Sequence, residues 1–373
     1  MRLISLQENL KKGLNIVGHV TIKNINLPIL NNILIKAQDG NIDLISTNLE
    51  IGIVYKLRGK VESPGELTVD SKLITEYVNL LNEGEKVLLE EKEGNLKVKC
   101  DNYKTKIKTE SSKEFPLIPV ISQDTYYTCN PEELRKSLNS VIFSVSSSEN
   151  RAELTGVLFS FRGNQLDLAA TDSYRLAEKK LSIRSAGIEQ DQSVIVPAKT
   201  VQELLRVLGN LNEEIEEQLE VKISLSENQI LFSVDSVSLI SRLINGHYPD
   251  YQQIIPNKSQ TEVLVDRTEL IRAVKAAALF SKTGINDVDL KFIKDKMIVS
   301  SFSGASGESQ IEVEVKNSGE DNEISINYRY LIDGLNNIEG NLVKINILNN
   351  TTPCLLKPEG SDNYLYIVMP IKQ

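Results

Sequence analysis

The chain lacks the features of a membrane or secreted protein. No run of about 18 apolar residues occurs, which excludes an ordinary transmembrane helix. The first residues, MRLISLQENLKKGLN, show no apolar core followed by a small-residue cleavage site, so we expect no signal peptide. Cysteine is scarce, and Cys100, Cys129 and Cys354 match neither a disulfide nor a zinc pattern. These absences predict a cytoplasmic protein.

Motifs of catalysis are also missing. The chain has no GxxxxGK[ST] loop for a nucleotide and no HExxH for zinc, and its two histidines are far apart in the sequence. The tripeptides Lys282-Thr283-Gly284 and Ser361-Asp362-Asn363 match two motifs of serine β-lactamases, but SxxK is absent and their order is reversed. We therefore predict no catalytic site, no metal and no cofactor. An enzyme is the main alternative class.

What the chain does contain is one unit repeated three times. Each unit has an amphipathic helix with apolar residues at i, i+4 and i+7, two strand-like runs, a second such helix and further alternating strands. The first helices carry Leu10, Leu14 and Val17; Leu134, Leu138 and Val141; and Leu270, Val274 and Ala277. The second helices carry Ile74, Val78 and Leu81; Val201, Leu205 and Leu208; and Leu331, Leu335 and Ile338.

The repeat extends to the turns and the closing residues. The strand-like runs are 32–37 and 41–46, 156–161 and 165–170, and 288–293 and 296–301, and a residue–proline pair closes each unit at Phe115-Pro116, Tyr248-Pro249 and Met369-Pro370. The order predicts an α+β chain of three topologically similar domains, 1–120, 121–255 and 256–373, each with two helices and antiparallel sheets. Three unrelated α+β domains are the alternative.

Positive charge is concentrated on these helices, although the chain has a net charge of −9. The helices carry eleven cations against seven acids, and each has a cation that faces away from its apolar stripe. These outward cations are Lys12, Lys72, Lys136, Lys199, Arg272 and Arg329, and Arg206 adds to them. Since no aromatic residues interleave with them, we expect contacts to phosphates without sequence readout. Ordinary solvated helix faces are the alternative.

Several motifs, in order, resemble the beta subunit of bacterial DNA polymerase III, the sliding clamp family, over the full length. They are Leu27-Pro-Ile-Leu30, Ala170-Thr-Asp-Ser-Tyr-Arg-Leu176, Val194-Ile-Val-Pro197, Tyr248-Pro-Asp-Tyr251 and Tyr366-Ile-Val-Met-Pro370. The resemblance implies the DNA clamp fold and a head-to-tail homodimer that forms a ring around double-stranded DNA. It also implies that DNA polymerase and clamp-loader subunits bind through short peptides, and that Arg151 faces the DNA.

The resemblance further implies a pocket for those partner peptides, with aliphatic walls and an adaptable methionine. Carried over by position, it comprises Leu154, Thr171, Ser173, Tyr174, Arg175, Leu176, Pro249, Ile254, Pro353, Ile367, Val368, Met369, Pro370 and Ile371. A structural ion pair at Arg175 and a core role for Met369 are the alternatives. The chain departs from the family at Tyr174 and Gln253, where many relatives carry His and Arg, and at Asn24, Ala152 and Glu153.

Head-to-tail closure requires two complementary edges. Lys104 and Lys106 alternate with Thr105 and Ile107 in the manner of an edge strand, and Glu308 and Glu312 supply acids on another predicted strand. The family places an apolar contact at Leu279 and Phe280. We predict that these residues meet between subunits, and ordinary charged edge protection is the alternative. A peptide-binding scaffold that never touches DNA is the alternative function.

Overall fold

A computed structural model describes residues 1–21, 24–119, 121–188, 190–211, 219–282 and 284–371. Thr283, in one of the two β-lactamase-like tripeptides, lies outside them. Within these ranges lie α1 Gln7–Gly18, α2 Ser71–Asn79, α3 Pro131–Ile142, α4 Ala198–Leu208, α5 Arg267–Ala278 and α6 Tyr328–Asn337. Each coincides with a predicted helix.

The predicted apolar stripes are buried, because each helix lays one face on a sheet. In α1, Leu10, Leu14 and Val17 are all 0% exposed. The prediction for α4 is wrong in one position. Leu205 is only half-buried, and Leu204 enters the core instead, since a helical turn of 3.6 residues allows either spacing.

The chain forms two compact units. Unit 1 comprises Met1–Glu132, Arg184–Glu189 and Gln202–Leu243, and unit 2 comprises Glu133–Ile183, Gln190–Val201 and Ile244–Gln373. The central repeat contributes to both units, so they do not follow the three repeats. The breaks near 121 and 256 stay a prediction.

Each unit is built on one antiparallel sheet. The strands are β1 Arg2–Leu6, β2 Asn32–Gln38, β3 Asn41–Thr47, β4 Ile51–Lys56, β5 Gly59–Ser63, β6 Gly65–Asp70, β7 Lys86–Lys92, β8 Asn95–Cys100, β9 Tyr103–Glu110, β10 Tyr126–Cys129, β11 Gly156–Arg162, β12 Gln165–Thr171, β13 Arg175–Ser182, β14 Arg184–Ala186, β15 Gln192–Pro197, β16 Val221–Leu225, β17 Gln229–Val234, β18 Val237–Arg242, β19 Thr261–Asp266, β20 Asp287–Ile293, β21 Lys296–Ser303, β22 Gly307–Gly319, β23 Asn322–Asn327, β24 Leu342–Ile347, β25 Cys354–Pro358 and β26 Tyr364–Val368.

Strands of different repeats pair directly within each sheet. In unit 1 the order is β14-β10-β16-β17-β18-β4-β3-β2-β6-β9-β8-β7-β1-β5, so β18 of the second repeat joins β4 of the first. In unit 2 the order is β15-β11-β12-β13-β26-β25-β24-β19-β22-β21-β20-β23, so β13 of the second repeat joins β26 of the third. These two junctions position the sites described below.

The two helices of the first repeat pack side by side and run antiparallel. At one end the Gln7 side-chain amide donates to the carbonyl of Val78 (2.9 Å), and at the other end Gly18 lies against Ser71. Among the described helices, none is long and apolar enough to span a membrane.

Candidate peptide pocket, cationic helices and sheet edges

A tight turn between β12 and β13 presents the first predicted pocket residues. The Asp172 carboxylate accepts from the backbone N–H groups of Tyr174 (2.9 Å) and Arg175 (3.0 Å). The Thr171 hydroxyl donates to the Arg175 carbonyl (2.6 Å) and accepts from the Ser173 N–H (3.1 Å). Ser173 has a φ of 77°, a left-handed conformation that these bonds hold in place. The turn leaves the Tyr174 side chain 62% exposed.

The Arg175 side chain, at the end of this turn, is surrounded by carboxylates and aromatic rings. Its guanidinium pairs with Asp172 (3.0 Å) and with Asp333 of α6, and it stands 4.8 Å from the centre of the Tyr330 ring. The same Tyr330 ring stacks on Tyr174, with centroids 6.3 Å apart. Arg175 is therefore an ion-pair residue at the predicted pocket, in agreement with the alternative drawn from the sequence.

An apolar sheet surface lies beside the turn. The pairing of β13 with β26 sets Leu176 opposite Ile367, and both side chains are 0% exposed. Ala169, Leu355 and Tyr251 join the same buried cluster. Tyr251 belongs to a 3-10 turn, Tyr251–Ile254, and its hydroxyl donates to the Glu178 carboxylate (2.7 Å). Burial is the larger cause and the negative charge of Glu178 the smaller cause of a raised pKa at Tyr251, so this phenol stays protonated.

The predicted pocket residues thus divide into a floor and a rim. Little surface is left on the floor residues Leu154, Thr171, Leu176, Ile367 and Val368. The rim residues expose more: Ser173, Tyr174 and Ile254 are exposed, and Arg175, Pro249, Pro353, Met369, Pro370 and Ile371 are half-buried. The Met369 N–H donates to the Tyr174 carbonyl (2.9 Å), which ties the last strand to the turn.

The predicted DNA-facing cations are mostly at the helix surface. Lys72, Lys136, Lys199, Arg272 and Arg329 are exposed, and Lys12 is half-buried. Lys72 lies 3.7 Å from Glu76 one turn along α2. Such an exposed pair contributes little, so it does not remove Lys72 from binding to another anion.

Arg206 and Arg151 differ from these helix cations. Arg206 donates to the Ile16 carbonyl at the end of α1 (2.7 Å) and pairs with Glu203 (2.9 Å). Its side chain is 21% exposed, so a role in joining α1 to α4 explains it better than a phosphate contact. Arg151 is exposed and donates to the Ser173 hydroxyl (3.1 Å), which places it beside the predicted peptide pocket.

Two strands have more than half of one edge unpaired in the described part of the chain, and these stretches are called free half-edges. β9 pairs with β8 along Tyr103–Lys108 but reaches β6 only at its last two residues. β22 pairs with β21 along Gly307–Glu314 but reaches β19 only from Val315 onward. Unpaired N–H and C=O groups template the addition of another strand.

The predicted interface residues lie on or near these free half-edges. Lys104, Lys106, Glu308 and Glu312 are exposed, and Glu312 pairs with Lys296 of the same chain (2.9 Å). Leu279 is 77% exposed, whereas Ile107 is 4% exposed and belongs to the core of unit 1. The alternation of β9 turns the Ile107 side chain toward its own unit, and its contact with a second copy stays a prediction.

The aromatic neighbours of Arg175 could not be predicted from the sequence. Phe143 directly follows α3, Tyr330 and Asp333 lie on α6, and the two segments are far apart in the chain. The i, i+3 spacing of Tyr330 and Asp333 on α6 was the available signal. Among the described residues, no group of three or more His, Cys, Asp or Glu side chains could hold a metal ion.

Comparison with known proteins supports one family over the whole chain. Models of the DNA polymerase III beta subunit match with the N-terminal domain over residues 1–119, the central domain over 128–250 and the C-terminal domain over 252–372. The beta sliding clamp of Synechococcus elongatus is 28% identical and aligns over 100% of this chain and 99% of its own length. The beta sliding clamp of Staphylococcus aureus is also 28% identical, and the alignment covers 93% of this chain and 92% of its own length.

Solved structures agree with this result. The DNA polymerase III beta subunit of Thermotoga maritima superposes with a TM-score of 0.90 at 28% identity, covering 100% of this chain and 99% of its own. The DNA polymerase sliding clamp of Bacillus subtilis gives a TM-score of 0.92 at 25% identity, with the same coverage. The resemblance and the three-domain clamp fold expected from the sequence are confirmed, and the chain belongs to the DNA polymerase III beta subunit family, the bacterial sliding clamps.

Proposed function

We propose that two copies of this chain close head to tail around double-stranded DNA and hold replication proteins on it, without enzymatic activity. The threefold repeat with an outward cation on each helix carries the proposal. Contacts of lysine and arginine to phosphates do not read sequence and are individually weak, so the protein moves along the duplex. The site of action is the DNA of the cytoplasm.

The free half-edges of β9 and β22 support the head-to-tail contact. Adding β22 of one copy to β9 of the next satisfies the unpaired backbone groups of both strands. It also brings Lys104 and Lys106 near Glu308 and Glu312, so the two edges attract each other and like edges repel. The exposed Leu279 supplies apolar surface beside this contact.

The floor and rim of the pocket support the binding of a short peptide from a DNA polymerase or a clamp-loader subunit. An apolar anchor of the peptide would cover the aliphatic floor, while the backbone-bonded turn holds Tyr174 in place before binding. A preformed rim reduces the entropy lost on association. Ile254 and Met369 supply adaptable apolar surface at the rim.

Retention on DNA of different topology tests the ring. The protein is loaded by a compatible clamp loader with ATP onto nicked circular DNA, and half of the sample is linearised. We expect retention on circles and loss from linear ends, because only a ring is topologically linked. Equal retention on both would mean ordinary electrostatic binding. Failure on both with the native loader would favour a peptide scaffold that never touches DNA.

A matched pair of isoleucines tests the pocket. Ile254→Glu places a charge at the pocket rim, whereas Ile25→Glu changes a residue that is 95% exposed and distant in sequence. We expect Ile254→Glu alone to weaken the binding of a peptide from the cognate polymerase by about tenfold or more, because an apolar contact is lost. Isothermal titration calorimetry measures both variants, and equal affinities would refute the pocket assignment.

A further inference from the structure

The junction of β4 and β18 in unit 1 has the same construction as the junction of β13 and β26 that forms the peptide pocket. The Thr47 hydroxyl donates to the Ile51 carbonyl (2.9 Å) and accepts from the Leu49 N–H (3.0 Å). Asn48 accepts from the N–H groups of Glu50 (3.0 Å) and Ile51 (2.8 Å). Each bond has its counterpart in the turn from Thr171 to Arg175.

The backbone of the two junctions matches as well. Leu49 has a φ of 77°, the value found at Ser173. The Arg242 N–H donates to the Glu50 carbonyl (3.0 Å), as the Met369 N–H does to Tyr174. In the sheet, Ile240 stands opposite Gly52, as Ile367 stands opposite Leu176. The repeat has therefore produced a second copy of the pocket framework.

This second framework encloses a cavity of about 110 Å³. Its lining includes Leu49, Leu117, Ile118, Ile240 and Arg242. The Ile118 side chain packs against Gly52, where a Cβ would stand 2.9 Å from its terminal methyl. Small-molecule sites measure roughly 300–1,000 Å³, so this cavity suits one aliphatic side chain and not a ring-bearing ligand.

The rim of the cavity differs in charge from the first pocket. Glu50 stands where the first pocket has Tyr174, and Arg242 stands where it has Met369. Both are exposed, and within the described ranges no ion pair joins either to another side chain. Leu117, at 96% exposure, adds apolar surface between solvent and the cavity. The matching ligand has an aliphatic anchor between one acidic and one basic residue.

We propose that this groove, defined by Leu49, Glu50, Leu117, Ile118, Ile240 and Arg242, is a second peptide site on each chain. It binds an extended segment of a partner protein through one aliphatic anchor flanked by opposite charges. The inference rests on the proposed peptide function of the first pocket for the nature of its ligand. Each chain would then hold two different peptides at once, one at each junction between repeats.

Methyl NMR of the full-length protein tests the second site. The probes are the synthetic pentapeptides Ac-Gly-Asp-Leu-Lys-Gly and Ac-Gly-Lys-Leu-Asp-Gly, with Phe and Ala replacing Leu as controls. We expect saturable shifts of the Leu49, Leu117 and Ile118 methyl signals with one leucine peptide, and weaker binding of the Phe and Ala peptides. Unchanged signals up to the solubility limit of both leucine peptides would overturn the proposal.

Matched variants separate this site from other surfaces. Arg242→Glu should weaken the better peptide by about fivefold, since it replaces an attraction with a repulsion at the rim. Leu117→Glu should weaken it by about tenfold. Leu80→Glu changes a leucine that is 75% exposed elsewhere in unit 1 and should have no effect. Equal affinities for all three variants would overturn the site.

The outcome for the first pocket is read in the same spectra. Shifts confined to Ile254 and Ile371 would overturn the second site and leave the first intact. Loss of the polymerase peptide from the first pocket, with binding preserved at Leu117 and Ile118, would refute the proposed function of the first pocket alone. The two proposals therefore fail separately.

Discussion

Reversing the charge of β9 should separate the two copies of the ring without unfolding either one. In Lys104→Glu/Lys106→Glu, two attractions to Glu308 and Glu312 become repulsions. Exposed ion pairs contribute about 0.2–1 kcal/mol each, so the reversal costs about 1–4 kcal/mol per contact. A closed ring has two such contacts, so the reversal costs about 2–8 kcal/mol in total, and the dissociation constant should rise by about thirtyfold at least.

The double substitution should preserve the fold of each copy, because of the residues that face Lys104 and Lys106 across the sheet. Lys104 stands opposite Lys99, and Lys106 stands opposite Lys97, on the neighbouring strand β8. Like charges in opposite positions destabilise a sheet, so glutamates at 104 and 106 replace two repulsions with two attractions within the monomer. Circular dichroism melting should show a stability at least equal to that of the unaltered protein.

Sedimentation velocity over a range of protein concentrations measures the dimer. Lys60→Glu/Lys86→Glu, two exposed lysines of the same unit, gives the same change of net charge and should leave the dimer intact. Adding Glu308→Lys/Glu312→Lys to the β9 variant should restore dimerisation, because every contact then regains opposite charges. An unchanged dissociation constant in the β9 variant would refute the pairing of β9 with β22.

Three further results are expected. Gly334→Ala should lower the free energy of unfolding by about 1–3 kcal/mol, because the added carbon meets the buried Tyr366 ring. The melting temperature should fall, and an unchanged melting temperature would contradict this. Burial raises the pKa of Tyr251, so the folded phenol stays protonated above about pH 10, where the unfolded one ionises. The free energy of unfolding should therefore fall as the pH rises further. Tyr251→Phe should make that fall smaller in alkaline denaturation curves. Lys72→Gln should reduce the slope of log affinity for DNA against log salt by about 0.9 for each Lys72 of the ring that contacts a phosphate. Arg206→Gln should instead lower the melting temperature and leave that slope unchanged, and the reverse pattern would exchange their roles.

The helices and the repeat could be predicted from the sequence because they depend on local periodicity. Leu10, Leu14 and Val17 are spaced by a helix turn, and such spacing survives whatever the helix packs on. Leu205 shows the limit of this reasoning. Two leucines are adjacent in α4, and only the packed structure decides which one enters the core.

The candidate site could be predicted only where a side chain acts alone. Exposed cations such as Arg272 need no partner and were found from their outward position. The bonds of Arg206 to carbonyls near the end of α1 could not be predicted, because those carbonyls are about 190 residues away in sequence. The second groove was missed although the repeat contains it. Thr47 matches Thr171, but Leu49 and Glu50 differ in side chain from Ser173 and Tyr174.

The unlike half-edges of β9 and β22 have a consequence for how an assembly stops growing. A contact between two different edges leaves one of each kind free at the ends of any open row of copies, so association would continue indefinitely. A closed pair has two contacts for two chains, and no edge is left over. Breaking one of the two contacts opens a passage for a DNA duplex while the other keeps the copies joined, so opening costs half of what dissociation costs. Because the two copies stay joined at the second contact, the ring closes again without a bimolecular encounter.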